Sequence, residues 1–109
     1  QVAIIADQRK FVAALIVPEF RMIEEWAREH HIKFESREDL CASKEIYDMM
    51  KERIDTLQQQ LAHYEQIKRF TLLAHHFSME SGELTNTLKL RRPVICKNYK
   101  DVIDKMFEE

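Results

Sequence analysis

Five histidines, two cysteines and a run of cations are the side chains with chemistry to offer in this sequence. The histidines fall as His30-His31, His63 and His75-His76. Adjacent residues do not share a face on a helix, and on a strand they point to opposite faces. Neither pair therefore chelates a metal unaided, and no metal is expected. Cys41 and Cys96 are far apart and form no Cys-x-x-Cys pair, so two reduced thiols are expected. A nucleophilic hydrolase needs a Ser or Cys with a His base and an oxyanion hole, and no Gly-x-Ser-x-Gly turn is present.

The cations are concentrated. From Leu84 to Lys100 stand Lys89, Arg91, Arg92, Lys97 and Lys100 with no acid among them. Such a segment suits a phosphate or a carboxylate, and it equally suits a solvated helix face. Nucleic acid is not expected as a partner. The formal charge is −2 with a pI of about 6.2, and Tyr99 is the only aromatic residue in the basic segment that bases could stack on. A single Gly and two Pro argue against a Gly-rich phosphate cradle and against a loop-rich all-β fold.

Several elements must position these groups. Val2 to Ala6 and Phe11 to Val17 are apolar, partly β-branched runs separated by Asp7-Gln8-Arg9-Lys10. That spacing predicts a β-hairpin with a four-residue polar loop, its strands covered on both sides and ended by Pro18. Phe20 to His31 has helical spacing, with Phe20, Ile23 and Ala27 on one stripe and Trp26 beside it. Ser36 with Asp39 resembles the capping signal of a short helical turn. Ser43 is a plausible cap for a long helix reaching Tyr64, with Ile46, Met50, Ile54, Leu57, Leu61 and Tyr64 on its apolar side. At about three heptads with an irregular stripe, that helix fits packing on a sheet better than a coiled coil. Arg69 to Ala74 reads as a strand, and His75 to Thr87, which holds Gly82, reads as an exposed loop. Pro93 opens a final helix to about Phe107, with Ile95, Tyr99, Val102, Ile103 and Met106 inward. The sum is a small α+β domain, a β-hairpin plus a third strand packed against about three helices.

The chain has 109 residues, 45% of them hydrophobic and 33% charged. That is one domain's worth of polypeptide with enough apolar content to exclude a wholly disordered tail. No apolar run approaches the ~20 residues of a membrane helix. The opening residues show no basic region ahead of an apolar stretch and a small-residue cleavage site. They read Gln-Val-Ala-Ile-Ile, inside an apolar run and without an initiator Met, so a piece of a longer protein is expected.

The segment Phe77-Ser78-Met79-Glu80-Ser81-Gly82-Glu83-Leu84-Thr85-Asn86-Thr87-Leu88-Lys89-Leu90-Arg91-Arg92 resembles the C-terminal catalytic-lysine motif of adenylate-forming (AMP-binding) enzymes. It is most similar to the version in long-chain fatty acid–CoA ligases, the long-chain acyl-CoA synthetases. That version runs Phe, a short spacer, Gly-Glu-Leu-Thr-Pro-Thr, one residue, Lys, two residues, Arg. Asp7-Gln8-Arg9-Lys10-Phe11 with Ala14-Leu15-Ile16-Val17-Pro18, and Tyr64-Glu65-Gln66-Ile67-Lys68-Arg69-Phe70, are also similar to that family. Asn86 departs from it by standing where Pro is usual.

The resemblance implies that residues 1–109 are the C-terminal mobile domain of a two-domain ligase. Its N-terminal ATP- and acyl-binding domain and its hinge lie outside the chain. It implies Lys89 as the catalytic lysine of acyl-adenylate formation. Gly82, Glu83, Thr85, Thr87 and Arg92 are implied as the motif residues that support it. The full-length enzyme would use ATP, Mg2+ and coenzyme A, none of them bound by this fragment alone. Its partners would be its own N-terminal domain and a fatty acid, in the cytoplasm, with peripheral membrane contact compatible with a lipid substrate. Two alternatives stay open on the residues themselves: a non-catalytic interaction module using the Ser43–Tyr64 helix or the basic segment, and a ligase for another carboxylic acid.

Overall fold

The computed structural model describes residues 1–6 and 11–108, so the four-residue polar loop expected at Asp7–Lys10 lies outside the described residues. On either side of it, β1 (Val2–Ile5) and β2 (Val12–Ile16) pair antiparallel, with Val2 opposite Ile16 and Ile5 opposite Ala13. A third strand, β3 (Ile67–Leu72), lies parallel to β2 on its other side, giving the order β1-β2-β3. Ala13, Ala14, Leu15 and Ile16 are all buried. That is the continuous apolar run of a strand covered on both faces. Strand β2 ends just before Pro18, where the Val17 N–H donates to the Gln1 carbonyl at 2.8 Å.

Successive residues of β3 sort the helices between the two faces. Phe70 stacks on Tyr47 at 4.2 Å between ring centroids, which brings α3 (Lys44–Leu57) onto one side. Arg69 points the other way. Its guanidinium donates to the carbonyls of Met106 and Glu108 at 2.7 and 2.6 Å, at the end of α5 (Lys100–Met106). A cation that satisfies the last carbonyls of a helix and meets the negative end of its dipole fixes that helix on the sheet. The same guanidinium lies over the Phe11 ring, which stacks on Phe107.

The helices begin where the sequence signals them. In α1 (Phe20–Glu29), Phe20, Ile23 and Ala27 are buried and Trp26 is half-buried. Ser36 caps α2 (Arg37–Ala42) by accepting the Asp39 N–H at 3.2 Å, and the Asp39 carboxylate accepts the Glu35 N–H at 2.9 Å. Ser43 caps α3 by accepting the Ile46 N–H.

Two expectations about helix length are corrected. The long helix stops at Leu57 rather than Tyr64. Leu57 is 86% exposed and Tyr64 80%, so neither extends the core stripe. The cause is Gln58, which turns inward. Its Nε2 donates to the Ile67 carbonyl at 2.9 Å, and its Oε1 accepts the Ile67 N–H at 2.8 Å. The amide acts as a strand neighbour for β3, and a single 3-10 turn (His63–Glu65) carries the chain across. This also starts β3 at Ile67, two residues before the Arg69 expected. The final helix is two, α4 (Arg92–Asn98) and α5, bent at Tyr99, whose φ of −113° and ψ of 24° leave the helical region. Tyr99 N–H to Ile95 O and Ile103 N–H to Tyr99 O carry the hydrogen bonding through the bend. Ile95, Ile103 and Met106 are buried, as their spacing predicts. The result is an α+β domain with a three-stranded sheet and, among the described residues, five α-helices, where about three were expected.

Candidate functional site

The segment expected as an exposed loop from His75 to Thr87 is instead an anchored structure. Phe77, Glu83 and Leu84 are buried in it. The Phe77 N–H donates to the Gln1 side-chain carbonyl at 2.8 Å, and its ring meets Tyr99 edge-on. Ser78 organises the next turn: its Oγ accepts the Ser81 N–H, and its carbonyl accepts the N–H groups of Glu83 and Leu84. Gly82 sits in this turn with φ +79°. A Cβ there would meet only Val94 Cγ1 at 3.6 Å. Conformation, not space, is what calls for glycine.

Beyond Gly82 the chain forms a small hairpin that presents Lys89. Leu84 and Leu90 form an antiparallel bridge, and the Arg91 N–H donates to the Glu83 carbonyl at 2.8 Å. The tip is closed by Thr85. Its N–H donates to the Lys89 carbonyl and its carbonyl accepts the Leu88 N–H, both at 2.9 Å. Its Oγ1 accepts the N–H groups of Lys89 and Thr87 at 3.1 and 3.3 Å and lies 3.0 Å from Thr87 Oγ1. Leu88 occupies the left-handed region at φ 62°, the conformation a three-residue hairpin loop requires before its return strand. Asn86 takes the second position of the turn, where proline is favoured because its φ is already set. The Thr85–Leu88 hydrogen bond closes the turn with Asn86 there.

Lys89 is exposed, and among the described residues nothing pairs with its Nζ. Its backbone is held at two points, its N–H by Thr85 Oγ1 and its carbonyl by the Thr85 N–H, while its ammonium is free to reach. Gly82, Glu83, Thr85, Thr87 and Lys89 are brought together in one turn-and-hairpin unit. Arg92 is not part of it. It stands at the first position of α4 and faces a groove of about 550 Å³ with Lys97, Lys100, Cys96 and the residues Ile4–Ala6 of the β1 edge. Within that groove Lys100 is paired with Asp104 at 3.3 Å.

Glu83 is 4% exposed. Its carboxylate accepts the Ser81 hydroxyl at 2.7 Å and the Asn98 amide at 3.2 Å. Asn98, at the end of α4, carries no local sequence signal, because it lies outside the motif and meets Glu83 only through the fold. Burial, and then the nearby Glu83 charge, push the Tyr99 phenol above its ordinary value.

The remaining titratable groups lie elsewhere. His30 Nδ1 lies 2.9 Å from its own helix's Trp26 carbonyl, His75 lies 3.3 Å from Glu38, and His76 faces Gln1. Among the described residues, no three His, Cys, Asp or Glu side chains gather as a metal site. Cys41 is half-buried and Cys96 exposed, and both are free. A cavity of about 840 Å³ between α1 and α3 is lined by residues that include Trp26, His30, Met49 and Leu57 and contains no residue of the motif.

Comparison with known proteins places this geometry. No family model matches the chain. It is 35% identical over 103 residues to a probable CoA ligase of Humulus lupulus, covering 91% of this chain and 15% of that protein. It is 30% identical over 99 residues to human long-chain-fatty-acid–CoA ligase 1, covering 89% and 14%. Long chain acyl-CoA synthetase 2 of Arabidopsis thaliana matches at 28% over 101 residues, covering 91% and 15%. The chain thus spans about one-seventh of the length of these relatives. Among solved structures, the adenylation domain of a carboxylate reductase from Mycobacterium chelonae superposes with a TM-score of 0.76 at 19% identity, over all of this chain and 15% of that one. The didomain of a carboxylic acid reductase from Segniliparus rugosus, in complex with AMP, gives 0.73 at 17%, over 96% and 13%. These two likenesses show the fold.

Proposed function

Starting from its homology to long-chain acyl-CoA synthetases over most of its length, we propose that this chain is the C-terminal domain of an ATP-dependent long-chain fatty acid–CoA ligase, with Lys89 serving acyl-adenylate formation. The observation that carries the reading is the Thr85–Lys89 hairpin tip, which fixes the lysine backbone and leaves the ammonium unpaired. In the first half-reaction the fatty carboxylate attacks the α-phosphate of ATP, and pyrophosphate leaves. Negative charge moves from the carboxylate through the phosphoryl oxygens as it does so. An ammonium on a long stem neutralises both ends of that shift. The hairpin supplies its position in advance. In the second half-reaction coenzyme A thiolate attacks the acyl carbonyl of the adenylate, the C–S bond of the thioester forms, and AMP leaves as the acyl–phosphate bond breaks. Rotation of this domain withdraws Lys89 between the two steps, so the chemistries are kept apart by gating.

ATP and magnesium are held by the larger domain, and residues 1–109 alone form no acyl-CoA. The acid is a long-chain fatty acid, and the full enzyme works in the cytoplasm with peripheral contact to a membrane. The alternative of an interaction module using the Ser43–Tyr64 helix or the basic segment has a shorter helix to use, since that helix ends at Leu57.

The test uses the full-length protein with and without Lys89→Ala. An ion pair at 4 Å in a surface cleft is worth about 4 kcal/mol. Its loss from the transition state slows adenylation about a thousandfold. Thioester formation from supplied acyl-adenylate stays within a fewfold of the parent. Survival of both activities would refute the assignment.

A further inference from the structure

The exposed tip of the Lys89 hairpin touches little, so its direction is decided at its base. Two residues there are buried, Glu83 and Leu84. Leu84 contributes apolar contact, which is non-directional. Glu83 contributes direction. Its carbonyl takes the Arg91 N–H from the return strand, one carboxylate oxygen takes the Ser81 hydroxyl from the preceding turn, and the other takes the Asn98 amide from the last turn of α4. A single residue thus ties the hairpin, through its backbone carbonyl, to the Gly82 turn and a helix, through its carboxylate. Among the described residues no cation pairs with it. A buried carboxylate held only by neutral donors is costly, and those donors must keep their geometry for it to stay.

Resting on the reading of Lys89 above, we propose that Asn98 and Glu83 form a clamp that sets the angle at which the hairpin presents Lys89, making Asn98 a positioning residue for adenylation. The lever is short. Glu83 lies opposite Arg91 at the base of the hairpin and Lys89 lies opposite Thr85 at its tip, so a rotation at the clamp becomes a displacement of the ammonium. A misplacement of 1 Å costs about a hundredfold in rate.

The experiment uses the full-length protein, with Lys89→Ala as reference and the two half-reactions assayed separately. Asn98→Asp sets a second carboxylate against Glu83 and is expected to lower kcat for adenylation by 10–100-fold. The KM for ATP and thioester formation from supplied acyl-adenylate are expected to hold. Adding Glu83→Gln to Asn98→Asp restores a donor–acceptor pair with the roles exchanged, and is expected to return adenylation to within a few-fold of the parent. A merely structural role would not give this rescue confined to one half-reaction. Asn98 is exposed, so Asn98→Ala is expected to fold. If the Asp variant does not fold, Asn98→Ala decides the matter, with about a tenfold loss confined to adenylation. The clamp is refuted if Asn98→Ala and Asn98→Asp leave adenylation unchanged while Lys89→Ala abolishes it. It is also refuted if a folded double variant gains nothing. If Lys89→Ala itself leaves adenylation intact, the functional reading fails instead, and the two failures are told apart.

Discussion

Replacing Gln58 by Ala tests the account of how the chain turns from α3 into β3. The side chain is 6% exposed and makes two hydrogen bonds with the Ile67 backbone, at 2.9 and 2.8 Å. Each such bond contributes about 1 kcal/mol net. Ile67 is half-buried at the sheet edge, so water reaches part of what is vacated and the penalty for unmet groups is small. The expected loss is about 2 kcal/mol. Urea unfolding of the 109-residue chain, followed by circular dichroism, reads it directly. With a denaturant slope of about 1.5 kcal/mol per molar, the midpoint falls by about 1.3 M at unchanged slope. Gln59→Ala, at an exposed neighbour, is the control and leaves the midpoint in place. A Gln58→Ala shift below about 0.3 M would refute the reasoning, because the helix would then be ending for a reason other than this amide.

Two further outcomes follow from strain and from burial. Leu88 holds φ 62° while 67% exposed. Leu88→Gly removes a left-handed penalty of about 1–2 kcal/mol and adds about 0.5–1 kcal/mol of chain entropy, for a net gain of about 0–1.5 kcal/mol in the same urea assay. Burial first, and then the Glu38 charge, push the Cys41 thiol from its ordinary 9.0 up to about 11. That rise lowers its thiolate fraction about a hundredfold at pH 8, so iodoacetamide followed by mass spectrometry labels Cys96 well before Cys41. Because the folded value lies above the unfolded one, the thiol's contribution to stability is complete below about pH 9. It is lost as pH rises toward 11.

Much of this protein is written locally. The β1–β2 runs, the Ser36 and Ser43 caps and the Phe20, Ile23, Ala27 stripe follow from the alternation of apolar residues and from side chains that satisfy the first N–H groups of a helix. Both are set by neighbours within a few positions. Gly82 and the Thr85–Lys89 tip belong to the same class, since a left-handed turn and a threonine hydroxyl that gathers nearby N–H groups need no distant partner. The resemblance that singles out Lys89 is carried by a segment that is short and continuous.

What sequence periodicity could not decide is where a pattern stops mattering. Leu57, Leu61 and Tyr64 continue the spacing of α3, yet they point into solvent, because β3 needs a partner at Ile67 and Gln58 supplies it. The run from Pro93 to Phe107 reads as one helix, but it must follow both Ile95 and the end of β3, and it bends at Tyr99. The His75–Thr87 stretch looks like a polar loop until the fold brings Asn98 to Glu83 and closes it. Each of these outcomes depends on a hydrogen bond or contact between residues distant in sequence. The sequence alone determined which groups the hairpin offers. Only the tertiary structure decided the angle at which it offers Lys89, because that angle is fixed by a bond between a turn and a helix fifteen residues apart.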